Sequence, residues 1–134
     1  MPITRYCPAC WEEIGDVAVC PSCGVDIRHL AADSYEEKLI RALHHPEPTV
    51  PVRAATILGE LMSGAAVPAL IKAASSTEDP YLQEAVALAL GAIGDKRALP
   101  CLDRLRREGA LRVRAAAGRA LGRINAWTDR DHDK

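Results

Sequence analysis

Residues 79–94 read DPYLQEAVALALGAIG, and this stretch decides the fold. Leu82, Ala85, Val86, Ala89 and Ile93 recur at intervals of three and four, the spacing of one helix face. The remaining positions are apolar too: past the first turn only Glu84 carries charge. A helix with so little polar surface has to be buried on more than one side, as in the middle of a stack. Its alanines let neighbouring helices approach closely.

The same pattern returns on either side. PTVPVRAATILGEL (48–61) and ALRVRAAAGRALGRI (110–124) superpose on it with Gly59, Gly91 and Gly122 in register, a period of 31–32 residues. Each glycine follows a leucine, at Leu58, Leu90 and Leu121. Between these helices, EKLIRALHH (37–45), PALIKAASS (68–76) and PCLDRLRRE (100–108) align through Leu39, Leu70 and Leu102. Such a period is the mark of a solenoid. Each unit is then an Ala-rich A helix followed by a B helix. Pro68 and Pro100 suit the first turn of a B helix, where the missing N–H would be unpaired anyway. Ser34-x-x-Glu37 offers a capping box for the first B helix, and Gly64, Gly94 and Gly109 mark turns. The order expected is B, A–B, A–B, A: about six helices over residues 34–126.

Val113-Arg114, Ala116-Ala117, Ala120-Leu121-Gly122 and the segment Leu90-Gly91-Ala92-Ile93-Gly94-Asp95 together resemble the HEAT-like repeat family first associated with phycobilisome lyases. The first copy departs from that pattern, with Ile57 for alanine and a proline-rich approach at Pro46, Pro48 and Pro51. The resemblance implies a short right-handed all-α solenoid whose B helices line its concave side. Fold alone does not decide chemistry. Some members of the family bind iron through His-Glu dipeptides in successive repeats. This chain has no such pair, and His44-His45-Pro46-Glu47 is its nearest approach.

Ahead of the helices lies YCPACWEEIGDVAVCPSCG (6–24), with Cys7-x2-Cys10-x9-Cys20-x2-Cys23. Two Cys-x-x-Cys turns supply four thiolates to one ion, and soft tetrahedral ligation favours zinc, with iron second. A closed shell of four thiolates leaves no position for water, so the site reads as structural. The segment resembles the minimal zinc-ribbon family, CPxCG…CPxCG, with Trp11 standing where the first knuckle has glycine. A module of about 25 residues cannot bury enough surface to fold without metal. The expected boundaries are a zinc ribbon over 1–30, a repeat array over 31–126 and a polar tail over 127–134. The first B helix lacks an A partner, so the ribbon is expected to cap its bare flank through Trp11, or through Ile27 and Leu30. Cys101, alone in a helical pattern, reads as a small buried hydrophobe.

Aromatic residues make up 4% of the chain and phenylalanine is absent, which disfavours a β-sandwich. No run of about 18 apolar residues would span a bilayer, and MPITRYCPAC has no signal-peptide core. A cytoplasmic protein with reduced thiols is the expectation. No nucleophile–base pair, P-loop or dinucleotide motif occurs, so no enzyme is expected. The net charge of −1 masks an asymmetry: residues 95–123 hold nine bases against three acids, and residues 1–50 hold four against eight. Arg41, Lys72 and Arg104 fall at one repeat-equivalent position, with His44, Ser75 and Arg107 in a parallel column. The column is either ordinary solvated surface or a ridge for an acidic segment of a partner protein. Arg112, Arg119 and Arg123 share a flank of the last helix, as a polar end cap or as a phosphate-contacting stripe. The function expected is a protein-interaction adaptor. Nucleic-acid binding through ribbon and stripe is the alternative, and a lyase-type chaperone, by resemblance alone, a third.

Overall fold

A computed structural model describes the backbone of residues 5–30 and 34–132. A two-stranded antiparallel ribbon opens the chain, β1 (Arg5–Tyr6) pairing with β2 (Glu13–Ile14), Arg5 opposite Ile14. One helical turn follows, α1 (Ile27–Leu30). Six longer helices then build the stack: α2 (Tyr35–Ala42), α3 (Thr49–Glu60), α4 (Val67–Ser75), α5 (Pro80–Ile93), α6 (Leu99–Glu108) and α7 (Leu111–His132). This is the expected alternation, with α3, α5 and α7 as A helices and α2, α4 and α6 as B helices. Among the described residues no helix is long and apolar enough to cross a membrane.

Local chemistry sets the helix ends. Ser34 Oγ accepts the Glu37 N–H at 3.2 Å, and Asp79 accepts the Tyr81 N–H at 2.9 Å, so α2 and α5 are capped from their N-terminal side. Pro68, Pro80 and Pro100 sit in first turns. Short 3-10 turns, Gly64–Ala66 and Lys96–Ala98, lead into α4 and α6. Gly94 closes α5 in the left-handed region, φ 77°. Met62 takes φ 52° at the same place in the first copy. That strained residue was not recognised from the sequence, although 62 and 94 align at the repeat period.

The helix α5 lies between α3 and α7 and buries both flanks, which is why its sequence is nearly all apolar. The core runs through Leu58, Leu70, Val86, Leu90, Leu102, Val113 and Ile124, with alanines at the closest approaches. A Cβ added to Gly59 would lie 2.8 Å from Ala89 Cα, and one added to Gly91 would lie 2.8 Å from Ala120 Cα. These two glycines let consecutive A helices touch backbone to backbone. Cys101 is buried in this core, and burial raises its thiol pKa. The helix α7 runs on to His132, through most of the stretch read from the sequence as a polar tail.

Candidate metal centre and binding surfaces

The cysteine segment folds as two copies of one turn. In each, the residue after the second cysteine donates its N–H to the first cysteine's carbonyl: Trp11 to Cys7 at 2.8 Å, Gly24 to Cys20 at 2.9 Å. In each, the first cysteine's N–H donates onward, Cys7 to Glu12 at 2.9 Å and Cys20 to Val25 at 3.0 Å. The closing residue is left-handed in both, Trp11 at φ 63° and Gly24 at φ 77°.

These turns bring four sulfurs together. Cys7 Sγ lies 3.7 Å from Cys23 Sγ, Cys10 Sγ lies 3.7 Å from Cys20 Sγ, and all four fall within 4.8 Å of one another. A disulfide needs about 2.05 Å, and all four thiols are free. A tetrahedron with metal–sulfur bonds of about 2.3 Å has edges of about 3.8 Å, so the set fits a four-coordinate ion with soft ligands. The local field agrees. The Cys23 N–H aimed at Cys20, helped by that of Ser22, brings this thiol down to about 7. At Cys10 the Glu12 N–H lowers the pKa, but burial and the neighbouring sulfurs prevail and carry it up to about 12. Thiols this close cannot all ionise without a cation among them. Among the described residues, Ile14 with Val25 and Ile27 beside it gives the segment a small apolar core.

Ile27 packs into the ribbon's own interior, beside Ile14 and the cysteines. The side chain of Leu30 lies outside the described residues. Trp11 does reach the helices. Its ring sits 4.9 Å from that of His45, just past α2, and Tyr6 meets the same imidazole edge-on at 5.3 Å. His45 Nδ1 accepts the Glu47 N–H at 3.0 Å, which fixes the orientation of the ring. A tryptophan in a glycine position was a readable sign of such a contact. The identity of its partner was not, since nothing in the residues around His45 points to the ribbon.

The basic column is only partly open. Arg41 on α2 is half-buried and Lys72 on α4 is exposed. Arg104 on α6 reaches back to Ser75 Oγ at 3.2 Å, joining one column to the other. Arg107 is paired with Asp103 at 3.1 Å, as is Arg106 at 2.9 Å. His44 stays exposed and lines a groove of about 370 Å³ with His45, Leu43, Pro51, Thr77 and Leu82. Arg104 lines a second groove, about 460 Å³, with Ser75, Thr77, Gln83, Leu105 and Glu108. Thr77 borders both, so they adjoin along the edge where B helices turn into A helices.

The arginine flank of α7 divides. Arg112 bridges back to α5, 3.2 Å from Glu84 and 4.6 Å above the Tyr81 ring. Arg119 and Arg123 stay on the outer face. Of the three guanidinium groups, that of Arg112 is thus shared with a carboxylate and an aromatic face, while the other two face outward.

A family profile for HEAT repeats matches residues 36–122. The chain belongs to the HEAT-repeat family. Its array is also similar to the "Bilin biosynthesis protein PecE" of Nostoc sp., 42% identical over 78 residues, 58% of this chain and 31% of that protein. The protein of the same name from Mastigocladus laminosus is 41% identical over 78 residues, 29% of its length. The chain thus spans less than a third of the curated relatives it matches. Seventy-eight residues exceed the cysteine segment, so most of this similarity lies in the HEAT helices. The expectation that the chain is no enzyme is overturned here, because the relatives carry a biosynthetic name. That expectation rested on absent motifs, and a repeat array assembles sites from side chains on successive helices, which no short motif records.

Proposed function

We propose that this chain is a HEAT-like module of the lyase-related class, holding a protein partner and serving chemistry on a bilin, with zinc in its four-cysteine centre. The observation that carries the reading is the 42% identity of the array to proteins named for bilin biosynthesis. The adjoining grooves along the loop edge support it. Bilins are linear tetrapyrroles, with apolar ring edges and two propionate carboxylates. Leu43, Pro51, Leu82 and Leu105 offer apolar walls. Arg104 and His44 offer cationic or hydrogen-bonding contacts for carboxylates. Glu78, Asp79 and Glu108 border the same edge and restrict where a carboxylate can lie, favouring the Arg104 and His44 sides. Repeat surfaces of this kind hold protein partners across several units, which would bring an acceptor to the same edge.

The test is optical. Biliverdin added to the purified chain should change its visible absorbance saturably, and Arg104→Ala with His44→Ala should weaken that binding at least tenfold. A spectrum unaltered by excess chain sinks the bilin assignment.

A further inference from the structure

The three A helices stack by one repeated contact, which the described residues use twice. Gly59 of α3 receives Ala89 of α5, and Gly91 of α5 receives Ala120 of α7, each at a distance that excludes a Cβ. The third glycine in register, Gly122, has nothing within 4 Å of its would-be Cβ, nor has Gly118 one turn earlier. Around it Arg119, Arg123, Ala126 and Trp127 line a depression of about 610 Å³. The outer face of α7 thus continues an interface already built twice within the molecule.

What can occupy it follows from the two used contacts. At the first, Thr56, Gly59 and Glu60 of α3 share one surface with Ala85, Leu88, Ala89 and Ala92 of α5. Carried forward by the repeat period, Thr56, Gly59 and Glu60 become Arg119, Gly122 and Arg123. An incoming helix would then set a small residue on Gly122, with the positions equivalent to Leu88 and Ala92 beside the two arginines. Neither arginine makes an ion pair among the described residues, and the surrounding segment is strongly basic. Carboxylates four apart on the incoming helix complement them.

A second copy fits poorly. Its free A helix is α3, which carries Ile57 where α5 and α7 carry Ala89 and Ala120. A branched side chain cannot enter a contact so close that a Cβ built on the glycine would lie 2.8 Å from the facing backbone carbon. Pairing α7 with α7 instead gathers four uncompensated guanidinium groups.

We infer that the outer face of α7 docks an A-type helix of a different protein, one bearing a small residue against Gly122 and carboxylates at i and i+4 facing Arg119 and Arg123. The inference stands on the stacking geometry and is independent of the bilin reading.

A lactam-stapled helical peptide of residues 79–94, labelled and carrying L88E and A92E, is titrated with the full chain by fluorescence anisotropy. Circular dichroism establishes that the peptide is helical. Saturable binding is expected, at least tenfold weaker for the same peptide with L88K and A92K. Arg119→Glu with Arg123→Glu should reverse that preference, and Gly122→Leu should abolish binding of both peptides. Because the Gly122 Cβ direction is open, Gly122→Leu should unfold at the wild-type temperature. Absence of saturable binding overturns the proposal, as does binding undiminished in Gly122→Leu. So does a dimer in sedimentation equilibrium that Gly122→Leu dissociates, which would make a second copy the occupant.

Discussion

Two residues adopt a backbone that their repeat partners give to glycine. Trp11 matches Gly24, and Met62 matches Gly94, all at positive φ. A side chain there costs roughly 1–2 kcal/mol. Met62 is exposed and repays little of this, so Met62→Gly should stabilise the chain by about 1 kcal/mol in urea unfolding. Trp11 has a return in its ring contact with His45. Trp11→Ala loses the ring and keeps the strain, whereas Trp11→Gly loses the ring and relieves the strain. The alanine variant should therefore be the weaker by about 1 kcal/mol; equal stabilities would show that the left-handed turn is not enforced. A third residue answers to pH. The Asp95 carboxylate is held below the usual range, first by the Arg97 guanidinium and then by the Arg97 N–H at 2.8 Å, while Arg97 also donates to the Gly64 carbonyl at 3.0 Å. A depressed carboxylate pKa stabilises the fold above the unfolded value of about 3.9 and loses that contribution as pH falls through the folded value. The stability gap between wild type and Asp95→Asn should be full at pH 7 and shrink below pH 4.

At the scale of the elements, the A helices pack by contact between backbones, and alanine is their knob. Gly59→Ala and Gly91→Ala each force a methyl group against the next helix and should cost about 1–3 kcal/mol. Gly122→Ala meets open space and should be neutral or stabilising by up to about 1 kcal/mol, the ordinary helix preference for alanine. Thermal melts of the three variants check the ranking, and a destabilised Gly122→Ala would contradict an open α7 face. The B helices play another part. On α6 the carboxylate of Asp103 pairs with both Arg106 and Arg107, whereas Arg119 and Arg123 stand exposed on α7.

For the whole molecule, the contact of Tyr6 and Trp11 with His45 couples the cysteine ribbon to the helical array. Among the described residues the ribbon has almost no apolar core of its own, so its order would rest on an ion held by the four thiolates. Chelation should unfold the ribbon, release His45 and lower the melting temperature of the helices followed at 222 nm. Identical helical melts with and without chelator would mean that the two parts are merely tethered. Metal analysis of the purified chain identifies the ion, for which zinc is the expectation.

Helix type, order and turn positions were legible in the sequence because they follow from period, proline and glycine, which act over a few residues. The four thiols were legible for the same reason, since each knuckle is a local turn. The groove edge, the division of the arginine flank and the pairing of Trp11 with His45 were not, because each joins residues through the packing angle between elements. Arg112 shows the difference: its helix face was predictable from spacing, but Glu84 and Tyr81 reach it only once α5 and α7 are stacked. By itself the sequence determined a repeat with three equivalent glycines. Only the tertiary structure decided which two are filled and which one faces outward, since a close approach depends on a neighbour and none among the described residues reaches Gly122.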